Sequence, residues 1–351
     1  MAATAPVAAP TSALITQAQQ KTVAYLPRID SQRAHTVSAT DLEGAFQYEE
    51  KYVGKVRDVY TTADSLLLIS TDRQSAFDRN LASIPFKGQV LNLTSQWWFE
   101  KSKDLVPNHI LAVPHPNACI GKKCTVFPVE FVMRGYITGS TDTSLWTNYK
   151  KGVRQYCGHA LPEGLKKNQQ LANNLLTPTT KDAAHDELIS AEEIVSSRRM
   201  SQEDWELCAS YAHALFAFGQ KVASARGLIL VDTKYEFGKT ADGQVIIVDE
   251  VHTPDSSRYW VAETYKARMA QGLEPENIDK EFLRLWFKDR CDPYKDATLP
   301  EAPAELVNEL SRRYIMLYEL ITGLDFVFPE ASVTTNDSLR AAIGAYYGRA
   351  Q

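Results

Sequence analysis

An α+β fold is predicted for this chain, because segments with strand alternation and segments with helical periodicity both occur. Leu228 to Phe237 and Gln244 to Val251 are apolar, β-branched-rich runs, and the Asp242-Gly243 pair between them is a strong hairpin-turn signal. A run with apolar residues at helical spacing begins near Ser201 and ends at Gly227, a natural helix C-cap. With 351 residues, the chain is long enough for one large domain or two moderate lobes.

The composition is ordinary for a soluble enzyme. Hydrophobic residues make up 44% of the chain and charged residues 23%, and the net charge is -5, so no basic surface for nucleic acid is predicted. No apolar run approaches the roughly eighteen residues of a membrane-spanning helix. The five cysteines show no CxxC spacing and are interpreted as reduced thiols. We therefore predict neither nucleic acid nor membrane as a partner.

The N-terminal segment, residues 1 to 29, is rich in Ala, Thr and Pro and contains no acidic residue. Two interpretations are open. The favoured one is a flexible terminal extension, and the other is an organelle transit peptide. The predicted location is accordingly the cytoplasm, with a plastid as the alternative.

A first hairpin is predicted in the N-terminal half, with one strand from Phe46 to Tyr60 and the next from Leu66 to Ser70. Alternation puts Lys55 and Arg57 on one face of the first strand, and Gly54 lets a ligand approach the backbone. Two cations on a glycine-bearing hairpin could lie over phosphates. A solvated edge strand would have the same pattern, so both interpretations stay open.

The strand from Leu228 carries charge where a buried strand should be apolar. Strict alternation puts five side chains on one face: Leu228, Leu230, Asp232, Lys234 and Glu236. If the turn centres near Ala241, Asp232 lies roughly opposite Asp249, and facing carboxylates repel unless a cation is bound between them. Oxygen ligands without His or Cys suit Mg²⁺, which normally arrives with nucleotide phosphates. The alternative is an exposed hairpin face on which Lys234 bridges its neighbours.

Two anion sites are also predicted. Arg134 and Ser140 flank a glycine loop before a helix start near Asp142, and an arginine, a hydroxyl and a helix N-terminus together suit a phosphate. A surface loop with an incidental arginine is the alternative. The second site lies where residues 253 to 257 cap a helix from about Arg258 to Gln271.

Glu130 lies inside an otherwise apolar strand that is broken before it by Pro128. A buried carboxylate needs a donor, which the exocyclic amine of a nucleotide could supply. Residues 158 to 181 are polar and turn-rich, which predicts a surface excursion or a lid that ends in Lys181. Further helices are predicted at about 89–103, 279–288 and 304–322.

Five segments, taken together and in this order, resemble the SAICAR (phosphoribosylaminoimidazole-succinocarboxamide) synthetase family. They are GKVRDVY at 54–60, SAFDR at 75–79, PVEFVMRGYITGS at 128–140, LVDTKYEFG at 230–238 and DEVHTPDSSRYW at 249–260. The resemblance runs from about Phe46 to Phe328. It implies a nucleotide cleft between a mostly antiparallel N-terminal lobe and a larger α+β lobe, related in plan to ATP-grasp and kinase folds.

The resemblance also implies how the chain is divided. Residues 1–45 are expected to form a flexible N-terminal extension, and 46–133 the nucleotide-binding lobe. Residues 134–330 are expected to form the C-terminal lobe that completes the cleft, and 331–351 a tail. Neither the extension nor the tail is expected to carry catalysis.

The resemblance assigns roles to individual residues. The residues expected to contact ATP are Lys55, Arg57, Glu130, Met133, Lys181 and Lys234. The expected Mg²⁺ ligands are Asp232, Glu236 and Asp249, and the expected catalytic residues are Asp232, Lys234 and Asp249. The residues expected to bind the substrate ribonucleotide are Asp78, Arg134, Ser140, Asp255, Ser257 and Arg258.

The family joins 5-amino-1-(5-phosphoribosyl)imidazole-4-carboxylate to L-aspartate with ATP, through an acyl phosphate, in purine biosynthesis. The resemblance therefore implies ATP and Mg²⁺ as cofactors, the two other small molecules as partners, and a monomer or homodimer. A kinase-like phosphotransferase is the alternative, although no HRD-like base followed by Asn and no DFG occur. A silent nucleotide-binding or scaffolding protein ranks last, because all the expected charges are present.

Overall fold

The computed structural model describes residues 11–77, 79–181, 186–278, 280–330 and 333–349. Its helices are α1 (Thr11–Val23), α2 (Leu26–Gln32), α3 (Lys87–Ser102), α4 (Leu145–Lys150), α5 (Ala191–Ser196), α6 (Gln202–Ala225), α7 (Ala262–Ala270), α8 (Glu281–Lys288), α9 (Ala304–Thr322) and α10 (Thr335–Arg349). Its strands are β1 (Glu50–Val53), β2 (Arg57–Thr61), β3 (Ser65–Ser70), β4 (Arg73–Ala76), β5 (Arg79–Ser83), β6 (Ile110–His115), β7 (Ala118–Lys122), β8 (Thr125–Val126), β9 (Val129–Tyr136), β10 (Gln155–Tyr156), β11 (His159–Ala160), β12 (Gln170–Leu176), β13 (Thr179–Thr180), β14 (Leu228–Lys239), β15 (Val245–Val248) and β16 (Ser257–Val261). The predicted α+β class is confirmed.

The first large sheet is antiparallel, with the strand order β1-β2-β3-β7-β6. The prediction of one continuous strand from Phe46 to Tyr60 is wrong, because residues 54–56 turn the chain between β1 and β2. The backbone N–H of Gly54 donates a hydrogen bond to the carbonyl oxygen of Arg57, over 2.8 Å, and closes this turn. Lys55 therefore lies in the turn, and does not share a strand face with Arg57.

The second large sheet has seven strands and is built around β14. Its main path is β12-β9-β14-β15, and β8 and β16 also pair with β14, while β13 pairs with β9. Helix α6 packs across β14 and β9. Its apolar face contributes six buried side chains to the largest core: Trp205, Cys208, Ala212, Leu215, Phe216 and Ala223.

Strand β14 departs from strict alternation at a β-bulge. Its pairing with β16 skips Val231, because Leu230 faces Tyr259 and Asp232 faces Arg258. Before the bulge the even-numbered Leu228 and Leu230 point into the largest core, and after it the odd-numbered Tyr235 and Phe237 do so. The predicted face that joined Leu228 and Leu230 to the charged residues is therefore wrong, because the bulge rotates the rest of the strand.

Several elements confirm the sequence predictions. The Asp242-Gly243 turn joins β14 to β15, and Gly243 has a φ of +87°, which glycine adopts without strain. The spacing of Ser190 and Glu193 matches a capping box and predicts a helix start, and both hydrogen bonds of the box form at the start of α5. Helices α3, α8 and α9 lie where helices are predicted. No helix in the described ranges is long and apolar enough to cross a membrane.

Other elements differ from the predictions. The predicted helix at 258–271 begins as strand β16, and the helix α7 starts only at Ala262, because residues 257–261 pair with β14. The predicted surface excursion at 158–181 contributes β12 and β13 to the edge of β9. Helix α4 begins at Leu145 rather than at Asp142.

Both ends of the described chain pack on the rest of the fold. Helices α1 and α2, which lie within the expected flexible extension, contact α9; residues 1–10 of that extension lie outside the described ranges. Helix α10, in the expected tail, covers the first sheet. Its Leu339 and Ile343 are fully buried against Tyr60, Leu67 and Ile120. The expected division of the chain into lobes stays a prediction.

Truncating a buried leucine of α10 tests whether this helix stabilises the first sheet. We expect Leu339→Ala to lower the free energy of unfolding by about 2–5 kcal/mol, since it removes buried methyl groups and leaves a cavity. Leu324→Ala is the matched control at a side chain that is 53% exposed, and it should change the value by less than about 0.5 kcal/mol. Urea unfolding measures the free energy of unfolding of both variants. Equally small losses in the two would show that α10 does not stabilise the first sheet.

Candidate active site

The two sheets enclose a cleft of about 910 Å³. Its walls come from the β1–β2 turn, β9, β14 and the segment that runs from β15 into β16. Twelve of the predicted site residues line it: Lys55, Arg57, Glu130, Arg134, Lys181, Asp232, Lys234, Glu236, Asp249, Asp255, Ser257 and Arg258. The residues chosen from the sequence therefore meet in one place.

Three predicted residues are not among those that line the cleft. Met133 is fully buried in the largest core, and its backbone lies between the paired strands β12 and β14. The expectation that its backbone lies near the adenine of ATP stays a prediction. Ser140 does not line the cleft either, but its hydroxyl donates to Glu281 over 2.6 Å and so reaches a side chain at the edge of the site. Asp78 lies outside the described residues.

At one end of the cleft, Arg57 is held between two carboxylates. Its guanidinium pairs with Asp249 and lies 3.4 Å from an oxygen of Glu250. Burial opposes the charge on Arg57, but the two acids outweigh burial and raise the pKa of the guanidinium. Asp249 has a φ of +67°, a left-handed conformation that is uncommon outside glycine. Strained backbone of this kind clusters at functional sites.

Beside Arg57, a second network joins Lys234 to two acids. Its ammonium lies 2.6 Å from Glu130 and 2.9 Å from Glu236, and Lys181 also pairs with Glu236. Burial acts to raise the pKa of Glu236, but Lys234 and Lys181 together lower it to about 2. Glu130 further accepts a hydrogen bond of 3.2 Å from Thr179. Cationic and anionic side chains therefore alternate at this end of the cleft.

At the other end, Asp232 lies between two arginines in one row of the sheet. Arg134 on β9 and Arg258 on β16 are its cross-strand neighbours. An oxygen of Asp232 lies 2.5 Å from Arg258 and 3.8 Å from Arg134. The predicted position of Asp232 opposite Asp249 is wrong. Where β14 pairs with β15, it is Glu236 that faces Val248, the residue before Asp249.

Sequence reasoning missed six charged residues that line the cleft or pair with residues that line it: Lys87, Asp186, Glu250, Lys280, Glu281 and Arg284. Glu281 lies 3.7 Å from Arg258 and 3.2 Å from Arg284. Burial acts to raise its pKa, but the two arginines lower it to about 2. A signal was present in the charges at the start of α8, where Lys280, Glu281 and Arg284 fall on neighbouring positions of one turn.

A buried ion pair lies beneath the cleft. The ammonium of Lys87, which is fully buried, is 2.9 Å from a carboxylate oxygen of Asp255. Asp255 also accepts a hydrogen bond of 2.6 Å from the hydroxyl of Tyr314. Burial acts to raise the pKa of Asp255, but Lys87 and Lys280 hold it well below its usual range.

The carboxylates are distributed differently from a preformed metal site. Within the described ranges no three His, Cys, Asp or Glu side chains are grouped as metal ligands. Each expected ligand is paired with a cation instead, and Asp232 belongs to the arginine row. Glu236 lies on β14 and pairs with Val248, the last residue of β15, and Asp249 follows directly after it; both offer the oxygen donors that Mg²⁺ prefers. These two residues fit a Mg²⁺ ion that arrives with phosphates.

Removing the charge of Lys87 tests the buried pair. Lys87→Met should cost about 3–5 kcal/mol of stability, because it leaves the carboxylate of Asp255 buried without its cation. The double variant Lys87→Met/Asp255→Asn should recover part of this loss, and thermal or urea unfolding measures both. Lys103→Met is the control at an exposed lysine next to the same helix. Equal, small losses in Lys87→Met and Lys103→Met would contradict the pairing.

Comparison with known proteins places this cleft in a family. The family model described as SAICAR synthetase matches residues 50–300. A phosphoribosylaminoimidazole-succinocarboxamide synthase of Legionella pneumophila (strain Lens) is 58% identical over 306 residues, which are 87% of this chain and 98% of the relative. The chloroplastic enzyme of that name from Arabidopsis thaliana is 63% identical over 270 residues, which are 77% of this chain and 66% of the relative.

A solved structure agrees with these sequence matches. The SAICAR synthase of Saccharomyces cerevisiae, in complex with SAICAR, superposes with a TM-score of 0.71 at 31% identity. The superposition covers 84% of this chain and 100% of the yeast chain. The chain therefore belongs to the SAICAR synthetase family, whose members carry out the ATP-dependent ligation of aspartate in purine biosynthesis.

Proposed function

We propose that this cleft joins 5-amino-1-(5-phosphoribosyl)imidazole-4-carboxylate to L-aspartate, with ATP as the source of energy. The observation that carries the proposal is that β14 holds two separate charged groups, one around Glu236 and one around Asp232. Glu236 lies four positions after Asp232 on this strand, so the Cα atoms of the two residues are about 13 Å apart. The cleft therefore offers two places for phosphate groups, as a reaction between two nucleotides requires.

The end around Arg57 is assigned to ATP. Lys55, in the β1–β2 turn, and Arg57 would contact the phosphates, together with Lys181 and Lys234. Glu130 would lie towards the base. Glu236 and Asp249 would hold Mg²⁺, which when bound neutralises phosphate charge and orients the transferring phosphoryl group.

The end around Asp232 is assigned to the phosphate of the substrate ribonucleotide. Arg134 and Arg258 carry the charge there, and Asp232 fixes the position of both guanidinium groups. Ser257 lines the cleft next to Arg258, and its hydroxyl lies 2.8 Å from that of Thr233. Because the arginines are held before a substrate arrives, binding loses little side-chain entropy.

The chemistry proceeds in two steps. An oxygen of the imidazole carboxylate attacks the γ-phosphorus of ATP, which forms an acyl phosphate and releases ADP. The amine nitrogen of aspartate then attacks the carbonyl carbon, the bond to phosphate breaks, and the amine loses a proton. Charge neutralisation and positioning suffice for the first step, which agrees with a cleft lined by ion pairs.

The alternative of a kinase-like phosphotransferase is not favoured. A kinase would need a base beside a hydroxyl acceptor, whereas the matched relatives and the yeast structure are all named as SAICAR synthases. A silent scaffolding protein is disfavoured, because the charged residues expected for the reaction line the cleft.

We infer a cytoplasmic location, with a plastid as the alternative. The Arabidopsis thaliana relative is named as chloroplastic, which keeps the plastid interpretation open. For assembly we keep the expectation of a monomer or a homodimer.

The function is tested by the dependence of ADP release on each substrate. ADP should form at full rate only when the imidazole carboxylate ribonucleotide and aspartate are both present, with Mg²⁺ and ATP. A coupled assay for ADP, with each substrate omitted in turn, measures this. ADP release at full rate without aspartate would contradict the ligase, and ADP release with a hydroxyl acceptor alone would support the phosphotransferase.

Neutralising Asp249 tests the ATP end. We expect Asp249→Asn to lower turnover at least about a hundredfold, because it removes charge directed at Mg²⁺. Asparagine tolerates the left-handed backbone of this position, so the fold should be kept. Asp242→Asn, in the exposed turn of the same hairpin, is the matched control and should keep full turnover. Near-normal turnover of Asp249→Asn would show that Asp249 has only a structural role.

A further inference from the structure

Lys280 differs from the other cations of the cleft, because its side chain has no hydrogen-bond or ion-pair partner among the described residues. The described lysines and arginines that line the cleft are Lys55, Arg57, Arg134, Lys181, Lys234, Arg258, Lys280 and Arg284. Among these, Lys280 alone has a side chain that makes neither a hydrogen bond nor an ion pair with any described residue. A cation that is withdrawn from water and left without an anion is costly, which favours the binding of an anionic ligand.

The acids nearest to Lys280 are already engaged. Asp255 pairs with Lys87 and accepts a hydrogen bond from Tyr314, and Glu250 lies 3.4 Å from Arg57. Burial lowers the pKa of Lys280 to about 8, and the positive charges of Arg284 and Lys87 act in the same direction, whereas Asp255 and Glu250 oppose it. The side chain therefore stands among charges that do not neutralise it.

The substrates of the proposed reaction leave one requirement unmet. ATP and the ribonucleotide phosphate are assigned to cations at the two ends of the cleft, but L-aspartate brings two more carboxylates. Arg284 is already held by Glu281, at 3.2 Å. Lys280 is thus the cation that remains for the amino acid.

Resting on the function proposed above, we propose that Lys280 binds a carboxylate of L-aspartate and so selects a dicarboxylic amino acid as the acceptor. Asp255, which also lines the cleft, lies close enough to Lys280 to interact with it electrostatically. A positive and a negative group side by side match the carboxylate and the amino group of one amino acid. The site is therefore complementary to a charged amino acid rather than to a third phosphate.

Kinetics of three variants test the proposal. Lys280→Gln should raise the KM for aspartate roughly ten- to a hundredfold, the value of a lost hydrogen bond to a charged group, and leave the KM values for ATP and the ribonucleotide within about twofold. Lys280→Arg keeps the charge and should stay within about fivefold of the wild type. Lys295→Gln, at a side chain that is 84% exposed, is the control and should change nothing. An unchanged KM for aspartate in Lys280→Gln overturns the proposal.

Succinate has both carboxylates of aspartate and no amino group. The pH dependence of its inhibition constant would not change with Lys280→Arg if Lys280 had only a structural role. The inhibition constant of succinate against aspartate should rise above about pH 8 in the wild type, because Lys280 loses its charge there, whereas Lys280→Arg should show no such rise. The same pH dependence in both proteins overturns the proposal.

Two further outcomes are distinguishable. Equal loss of turnover in Lys280→Arg and Lys280→Gln, with the KM for aspartate unchanged, would make Lys280 the acceptor of the amine proton and refute carboxylate binding. A wild-type protein that releases no ADP with all substrates would refute the ligase itself, and succinate binding would then still be measured directly by calorimetry on the wild type and Lys280→Gln.

Discussion

The cleft depends on the pairing of opposite charges along β14. Asp232, Lys234 and Glu236 all point into it, and each is neutralised by side chains from neighbouring segments. Charges withdrawn from water are costly unless they are paired, so each of these partners is held in a defined position. The pairs therefore preorganise the cleft, because the cations would need no rearrangement to bind phosphates.

The bulge at Val231 allows one strand to serve both the core and the cleft. In a strand with unbroken alternation, the side that carries Leu228 and Leu230 would also carry Asp232. The extra residue changes the phase, so that the charged side chains face the cleft while Tyr235 takes over the core contacts. Bulges re-aim side chains next to active sites in this way. The fold of β14 and the chemistry of the cleft thus depend on the same local irregularity.

The sequence predicts well what is decided by neighbouring residues. The Asp242-Gly243 turn, the capping box before α5 and the periodic helices α6 and α9 all follow from local signals. The first residues of the predicted helix at 258–271 form strand β16 instead, because residues 257–261 become a strand only through pairing with β14. Residue type identified most of the cleft, since lysines, arginines and acids in apolar surroundings are unusual. Their partners, such as Glu250 for Arg57, depend on distant segments that no local pattern specifies.

The balance of charge at the two ends of the cleft agrees with the proposal that only one end holds a metal ion. The ATP end has four cations, Lys55, Arg57, Lys181 and Lys234, and four carboxylates, Glu130, Glu236, Asp249 and Glu250. It has no net positive charge to offer a triphosphate. A divalent cation between Glu236 and Asp249 would supply it, because carboxylate oxygens and phosphate oxygens suit the same ion.

The ribonucleotide end differs, because three arginines, Arg134, Arg258 and Arg284, face two carboxylates, Asp232 and Glu281. On the proposed assignment, the surplus of one positive charge among these five residues would attract a monophosphate without a metal ion, and Asp232 limits that surplus. A more highly charged triphosphate would meet too few cations there and would lie against the carboxylate of Asp232. On the proposed assignment, the opposed charge within each group therefore does more than hold side chains in place, because it would direct ATP and the ribonucleotide to different ends of one cleft.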